Sequence, residues 1–245
     1  MGTEGFIEFG FGENDDRVAG QKFDRFKGKE GENYRISFVW WPNKGDGVIP
    51  DLDAKTPRFI GAKRLYISGV GYVLDKGPEY GQFGQSKLNV ATIIAIWPTN
   101  RKGELDRARF ASGSGDAVDV KPWIFAKDKY EQLKRRHDEF PFGSYDLAIA
   151  CTDTQFQKMD LSPCRESLFR KVIESDKMKV MADDIVSRVN TIAANLQDIL
   201  ARDVSIEKIR EKLGGATTSP VNGGGGSGSG GAANTAAIDD LLNDV

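Results

Sequence analysis

Residues 64–74 read RLYISGVGYVL, a run of alternating character interrupted by two glycines. Leu65, Ile67 and Val73 take one parity, while Arg64, Tyr66, Ser68, Val70 and Tyr72 take the other. A period of two marks a strand with one face turned to a core. Gly69 and Gly71 within the run predict a bend or bulge in that strand. The second face carries a cation and two phenol rings, which fits a binding surface and equally fits surface tyrosines beside a loop.

The same grammar extends to both sides. Tyr34–Trp41 (YRISFVWW) is β-branched and aromatic and lies between Gly31 and Pro42-Asn43, so it predicts a strand. Tyr34, Ile36, Phe38 and Trp40 share its core face, leaving Arg35, Ser37, Val39 and Trp41 on the other. Trp41 is there either as a stacking platform or as part of a satellite core. Leu88–Trp97 is a third strand, closed by the turn signal Pro98–Gly103. Val118–Phe125 and Asp146–Gln157 are a fourth and fifth. Between them, Tyr130, Leu133, His137 and Phe140 recur at helical spacing over Lys127–Phe140.

From Pro163 the period changes. Arg165–Lys179 and Met181–Ala201 read as helices, the second with a stripe of Ile185, Val189, Ile192, Leu196 and Ile199. A last helix begins at Ser205 and stops at Gly214. This predicts a mainly β chain with C-terminal helices, its core an OB-fold-like five-stranded barrel. A β-sandwich fits the same pattern. The expected divisions are a core over 1–162, a helical segment over 163–213, a Gly/Ser linker over 214–231 and a tip over 232–245. The helical segment either packs on the core or mediates self-association into a homo-oligomer. The linker holds 9 of the 28 glycines and cannot bury enough apolar surface to offset its chain entropy, so a disordered tail is expected. An engineered spacer looks similar, but this run is irregular and leads to a patterned tip.

Charge is segregated along the chain. The formal total is −2, yet residues 17–145 hold 23 Lys and Arg against 16 Asp and Glu. The first 16 residues hold five acids and no base, and residues 214–245 hold Asp239, Asp240 and Asp244 and no base. A basic body thus lies between acidic ends, and a polyanionic partner is compatible with it. No run of 18 apolar residues occurs, and the start lacks the apolar core of a secretory signal. Two cysteines form no disulfide framework, so a reduced, cytoplasmic location is expected, in a bacterial host if the chain is phage-encoded.

Catalytic signatures are missing from the pattern. His137 is the one histidine and falls on the inner stripe of its helix, where it reads as a packed residue. There is no Gly-x-Ser-x-Gly elbow, and Gly84-Gln-Ser-Lys87 lacks the order of a phosphate loop. His137, Cys151 and Cys164 have no zinc spacing. No enzyme, cofactor or metal is expected.

Basic residues interleave with aromatics in the strand-rich half. Single strands are held by cations on phosphates and by rings that stack bases at about 1–3 kcal/mol each. The candidates on strands are Arg35, Trp41, Arg64, Tyr66 and Tyr72. Loop 42–63 adds Lys44, Lys55, Arg58, Phe59 and Lys63, and loop 75–87 adds Tyr80, Phe83 and Lys87, the two rings bracketed by glycines as in a mobile lid. The turn after the third strand contributes Arg101, Lys102 and Arg107. No helix concentrates the cations as a duplex-reading recognition helix would.

The C-terminal Ile238-Asp-Asp-Leu-Leu-Asn-Asp-Val245, after its linker and basic β-rich body, resembles the acidic tips of bacteriophage single-stranded DNA-binding proteins of the T4 type. The detailed match covers these last residues; for the body it is architectural. The resemblance implies that Asp239, Asp240, Leu241, Leu242 and Asp244 bind basic pockets on replication and recombination proteins. It implies that the same tip competes with DNA for the groove. It also implies that the body coats exposed strands during DNA replication, recombination and repair. Two features depart from that family: the N-terminal segment is acidic rather than basic, and zinc-ligand spacing is missing, so cooperative filament formation does not carry over. The alternative is a non-enzymatic adaptor or phage structural protein whose aromatics pack an interface.

Overall fold

The computed structural model describes residues 6–9, 23–100, 103–112, 117–152 and 159–214. Among them, eight strands form one antiparallel sheet: β1 (Phe6–Phe9), β2 (Asn33–Phe38), β3 (Phe59–Ile67), β4 (Gly71–Leu74), β5 (Lys87–Trp97), β6 (Asp119–Ala126), β7 (Leu147–Cys151) and β8 (Met159–Pro163). The helices are α1 (Arg107–Ala111), α2 (Lys127–Glu139), α3 (Leu168–Ile173), α4 (Lys179–Leu200) and α5 (Ile206–Gly214). None is long and apolar enough to cross a membrane. The chain is therefore mixed sheet and helix.

β5 is the hub. One of its edges pairs with β3 over its first half and with β2 over its second half, while β6 runs along the other edge. Val90 to Ala95 are buried without a break, because both faces of the sheet are covered. α4 packs across β5 and β6 on one face and buries Ile185, Val189, Ile192 and Leu196. On the other face Phe38, Phe59 and Trp123 meet Tyr130 of α2 and Phe142 of the following turn. The Phe38 and Phe142 rings stack at 4.3 Å. A smaller core of Leu65, Ile67, Val73 and Tyr80 lies under Ile206 and Ile209 of α5.

The expected closed five-stranded barrel does not form, and neither do two sheets of a sandwich. Among the described residues no pairing joins β6 or β8 back to β1 or β4. The outer edge of β6 carries Pro122, which has no N–H to offer a further strand. Its carbonyl instead accepts the Phe26 N–H at 2.9 Å, so the irregular segment at Phe23–Gly28 covers that edge.

The run from Arg64 to Leu74 is a hairpin rather than one bent strand. Gly69 at φ 78° and Gly71 at φ 97° occupy the left-handed region that favours glycine, and the chain reverses there. The fifth predicted strand likewise supplies only β7, with residues 153–158 outside the described residues and β8 returning beside it. The predicted helix over Arg165–Lys179 is shorter, ending at Ile173 before a 3₁₀ turn at Asp176–Met178.

Loop 42–58 is tied to the body. Arg170 donates to Gly143 O at 2.8 Å and Leu52 O at 3.1 Å, and pairs with Asp53 at 2.7 Å. His137 Nδ1 accepts the Phe142 N–H at 3.1 Å, so its Nε2 carries the proton donated to Lys55 O at 2.7 Å. Both ring nitrogens are thus spent on structure. A β-carbon added at Gly143 would stand 2.0 Å from Leu52 O, so the two backbones touch. Gly143→Ala should destabilise the fold by about 1–3 kcal/mol. For a folded body of this size that is a fall in Tm of roughly 2–12 °C, measured by thermal unfolding.

Candidate nucleic-acid interface

The β3–β4 hairpin puts Tyr66 directly opposite Tyr72. Both rings face solvent, 56% and 39% exposed, with centroids 5.2 Å apart and planes at 62°. The last turn of α4 reaches this face at Arg64, whose guanidinium meets Leu200 O. Arg64, two residues before Tyr66, lies on the same face and is buried. Its Nη1 donates to Leu200 O at 2.8 Å, its Nη2 donates to Asn89 Oδ1 at 3.1 Å, and its guanidinium carbon is 4.0 Å from the Tyr72 centroid. Burial first, and neighbouring Arg25 second, lower the Arg64 pKa to about 10, which leaves it charged at neutral pH. On the neighbouring strand Lys87 pairs in register with Arg64 and is exposed. Arg25 Nη2 donates to Ile199 O at 2.6 Å, and burial lowers its pKa too.

This corner combines aromatic faces open to solvent with cations around them. Flat π-surfaces and positive charge within one patch suit unpaired bases and their phosphates.

The other predicted site residues fall elsewhere. Lys63 is exposed on the opposite face of β3. Lys44 and Lys55 are exposed on loop 42–58, where Arg58 lines a narrow pocket with Trp40, Asn43 and Asn190. Arg107 is exposed on α1, after the turn that follows the far end of β5. Arg101, Lys102 and the tip residues Asp239, Asp240, Leu241, Leu242 and Asp244 lie outside the described residues.

Five predicted contacts are internal instead. Arg35 pairs with Asp146 at 2.9 Å and donates to Glu166 O at 3.0 Å, so its charge is spent inside the fold. Trp41 is buried with its Nε1–H on Phe38 O, which decides for the core over the platform. Phe59 is buried against Phe38 and Tyr130. The predicted aromatic lid is no lid: Tyr80 is buried with its hydroxyl on Val204 O at 3.0 Å, and Phe83 packs beside it. Ile206 and Ile209 supply the apolar cover that residues 75–87 lack locally.

The pattern along the sequence missed Arg25 and Asn89. Arg25 sits in an irregular segment, and only the end of a helix 174 residues later explains its placement. In comparisons with protein-family models, curated proteins and solved structures, none matches this chain.

Proposed function

We propose that the chain binds single-stranded DNA without sequence preference and without catalysis. The observation that supports this is the solvent-facing Tyr66–Tyr72 pair with Arg64 against one ring and Lys87 alongside. Bases stack on the rings, and the exposed Lys87 at the rim meets a phosphate. An open sheet serves as well as an OB-like barrel for this purpose, since the contact needs one exposed hairpin face. In the same proposal the acidic tip at 238–245 recruits replication and recombination proteins, and the body protects strands exposed in phage DNA replication, recombination and repair.

The test is a fluorescence-anisotropy titration of end-labelled oligo-dT at two salt concentrations. Each phosphate contact adds about −0.7 to the slope of log K against log salt, because it releases counterions, so oligo-dT should bind more weakly at the higher salt. Tryptophan quenching is the wrong readout here. Trp41, Trp97 and Trp123 are buried, and the half-buried Trp40 lines the pocket with Arg58 and Asn190 rather than the hairpin face, so bound bases have little access to any of the four. The proposal is lost if oligo-dT stays free at low salt.

The adaptor reading draws on a different observation. Val48 and Ile49 stand 70% and 57% exposed at the tip of a small hairpin closed by the Asn43–Pro50 bridge. An adaptor using that tip would leave oligo-dT unbound in the same titration.

A further inference from the structure

The end of α4 reaches Tyr72 in two ways, through Arg64 and through the connector that follows the helix. A helix C-terminus carries carbonyls without intrahelical donors and a partial negative charge, and guanidinium groups satisfy both. Arg64 takes Leu200 O and Arg25 takes Ile199 O. Just past the helix, the connector runs beside β4: Arg202 N–H donates to Tyr72 O at 3.0 Å, and Leu74 N–H donates to Arg202 O at 2.9 Å. Tyr72 is thereby fixed through its backbone by the connector and through its ring by Arg64.

We infer that Arg64, anchored on the last turn of α4, is a positioning residue that sets the Tyr72 ring for base stacking, making residues 199–202 a working part of the nucleic-acid site. The inference rests on the proposed function. Arg64 is only 9% exposed and has one guanidinium nitrogen on a helix carbonyl and another on Asn89. It is too enclosed to serve a phosphate. What it offers is a planar cation against one face of Tyr72, holding the ring so that the uncovered side meets the base. Lys87, exposed in the adjacent register position, is the phosphate contact.

A double-mutant cycle on the full chain tests this, with labelled oligo-dT as the probe and thermal unfolding to verify folding. Arg64→Met should weaken binding about tenfold with an unchanged salt slope. Lys87→Ala should instead make the slope shallower by about 0.7 to 1. In a Tyr72→Ala background, Arg64→Met should change affinity less than about twofold, because its effect acts through the ring already removed. A full tenfold loss in that background, or a shallower slope from Arg64→Met alone, overturns the positioning role. If the Met variant does not fold, Arg64→Lys carries the same cycle, since it keeps the charge and loses the planar fork. Failure of the unaltered chain to bind oligo-dT would instead sink the functional proposal itself.

Discussion

Replacing Tyr66 and Tyr72 together by alanine is expected to weaken oligo-dT binding by roughly 30- to 700-fold. Each ring offers a stacking surface of about 1–3 kcal/mol, and because the two touch, their joint effect falls short of the sum, at about 2–4 kcal/mol. The fold should survive. Both side chains are exposed, and the cross-strand pair contributes only about 0.2–1 kcal/mol to the hairpin. Phenylalanine at either position keeps the flat surface and should restore most of the affinity, whereas leucine should not. Anisotropy titrations of these variants at fixed salt measure this directly. A double alanine variant that binds like the unaltered chain would move the interface away from this hairpin, with loop 42–58 and its Lys44, Lys55 and Arg58 the next place to look.

Asp146→Ala should produce the largest loss of stability. The carboxylate is fully buried at the meeting of β2, β7 and α3. It accepts hydrogen bonds from the Ser37 hydroxyl, from Arg35 Nε at 2.9 Å and from the Leu168 N–H at 3.1 Å. Ser37 in turn accepts the indole N–H of Trp97 at 2.7 Å, so the network also reaches the end of β5. Truncation leaves the Arg35 charge without its counterion, with its side chain only 15% exposed, and removes the acceptor that Ser37 and Leu168 use. Breaking a buried pair from one side costs about 3–5 kcal/mol. Thermal unfolding should record a fall of roughly 6–20 °C. Arg35→Met breaks the same pair from the other side and strands the fully buried Asp146 carboxylate on the Ser37 and Leu168 donors alone, so it should destabilise the fold as well. Equal stability of Asp146→Ala and the unaltered chain would mean that the network is not what joins these elements.

Arg35 and Arg64 illustrate what the sequence could and could not convey. Each reads as a cation on the polar face of a strand, and by parity that is correct for both. What decides their roles lies far along the chain: Asp146 for Arg35, and the last carbonyls of α4 for Arg64. Pairings at separations above one hundred residues leave no trace in a local pattern. That Tyr66 and Tyr72 share one face, by contrast, is legible, because an even spacing survives whether the chain continues or folds back at Gly69; that they are direct neighbours is not, since it needs the hairpin. The continuous apolar run of β5 and the stripe of α4 were legible for the same reason: burial imposes a local period. Barrel closure was not legible, since it depends on whether the outer edge of β6 meets a strand or an irregular segment. Tyr80 and Phe83 looked mobile only because their cover, Ile206 and Ile209, comes more than 120 residues later.

The backbone link between β4 and Arg202 also has a temporal side. During synthesis, β4 leaves the ribosome 128 residues before the amide and carbonyl that complete its second edge. At about 5–20 residues per second, that is a wait of roughly 6–25 s. Until then Tyr72 sits on an unfinished edge, and Arg64 has no helix end to hold it. A nascent chain therefore exposes the tyrosines before it can orient them, and the finished surface arises only as the last helices emerge.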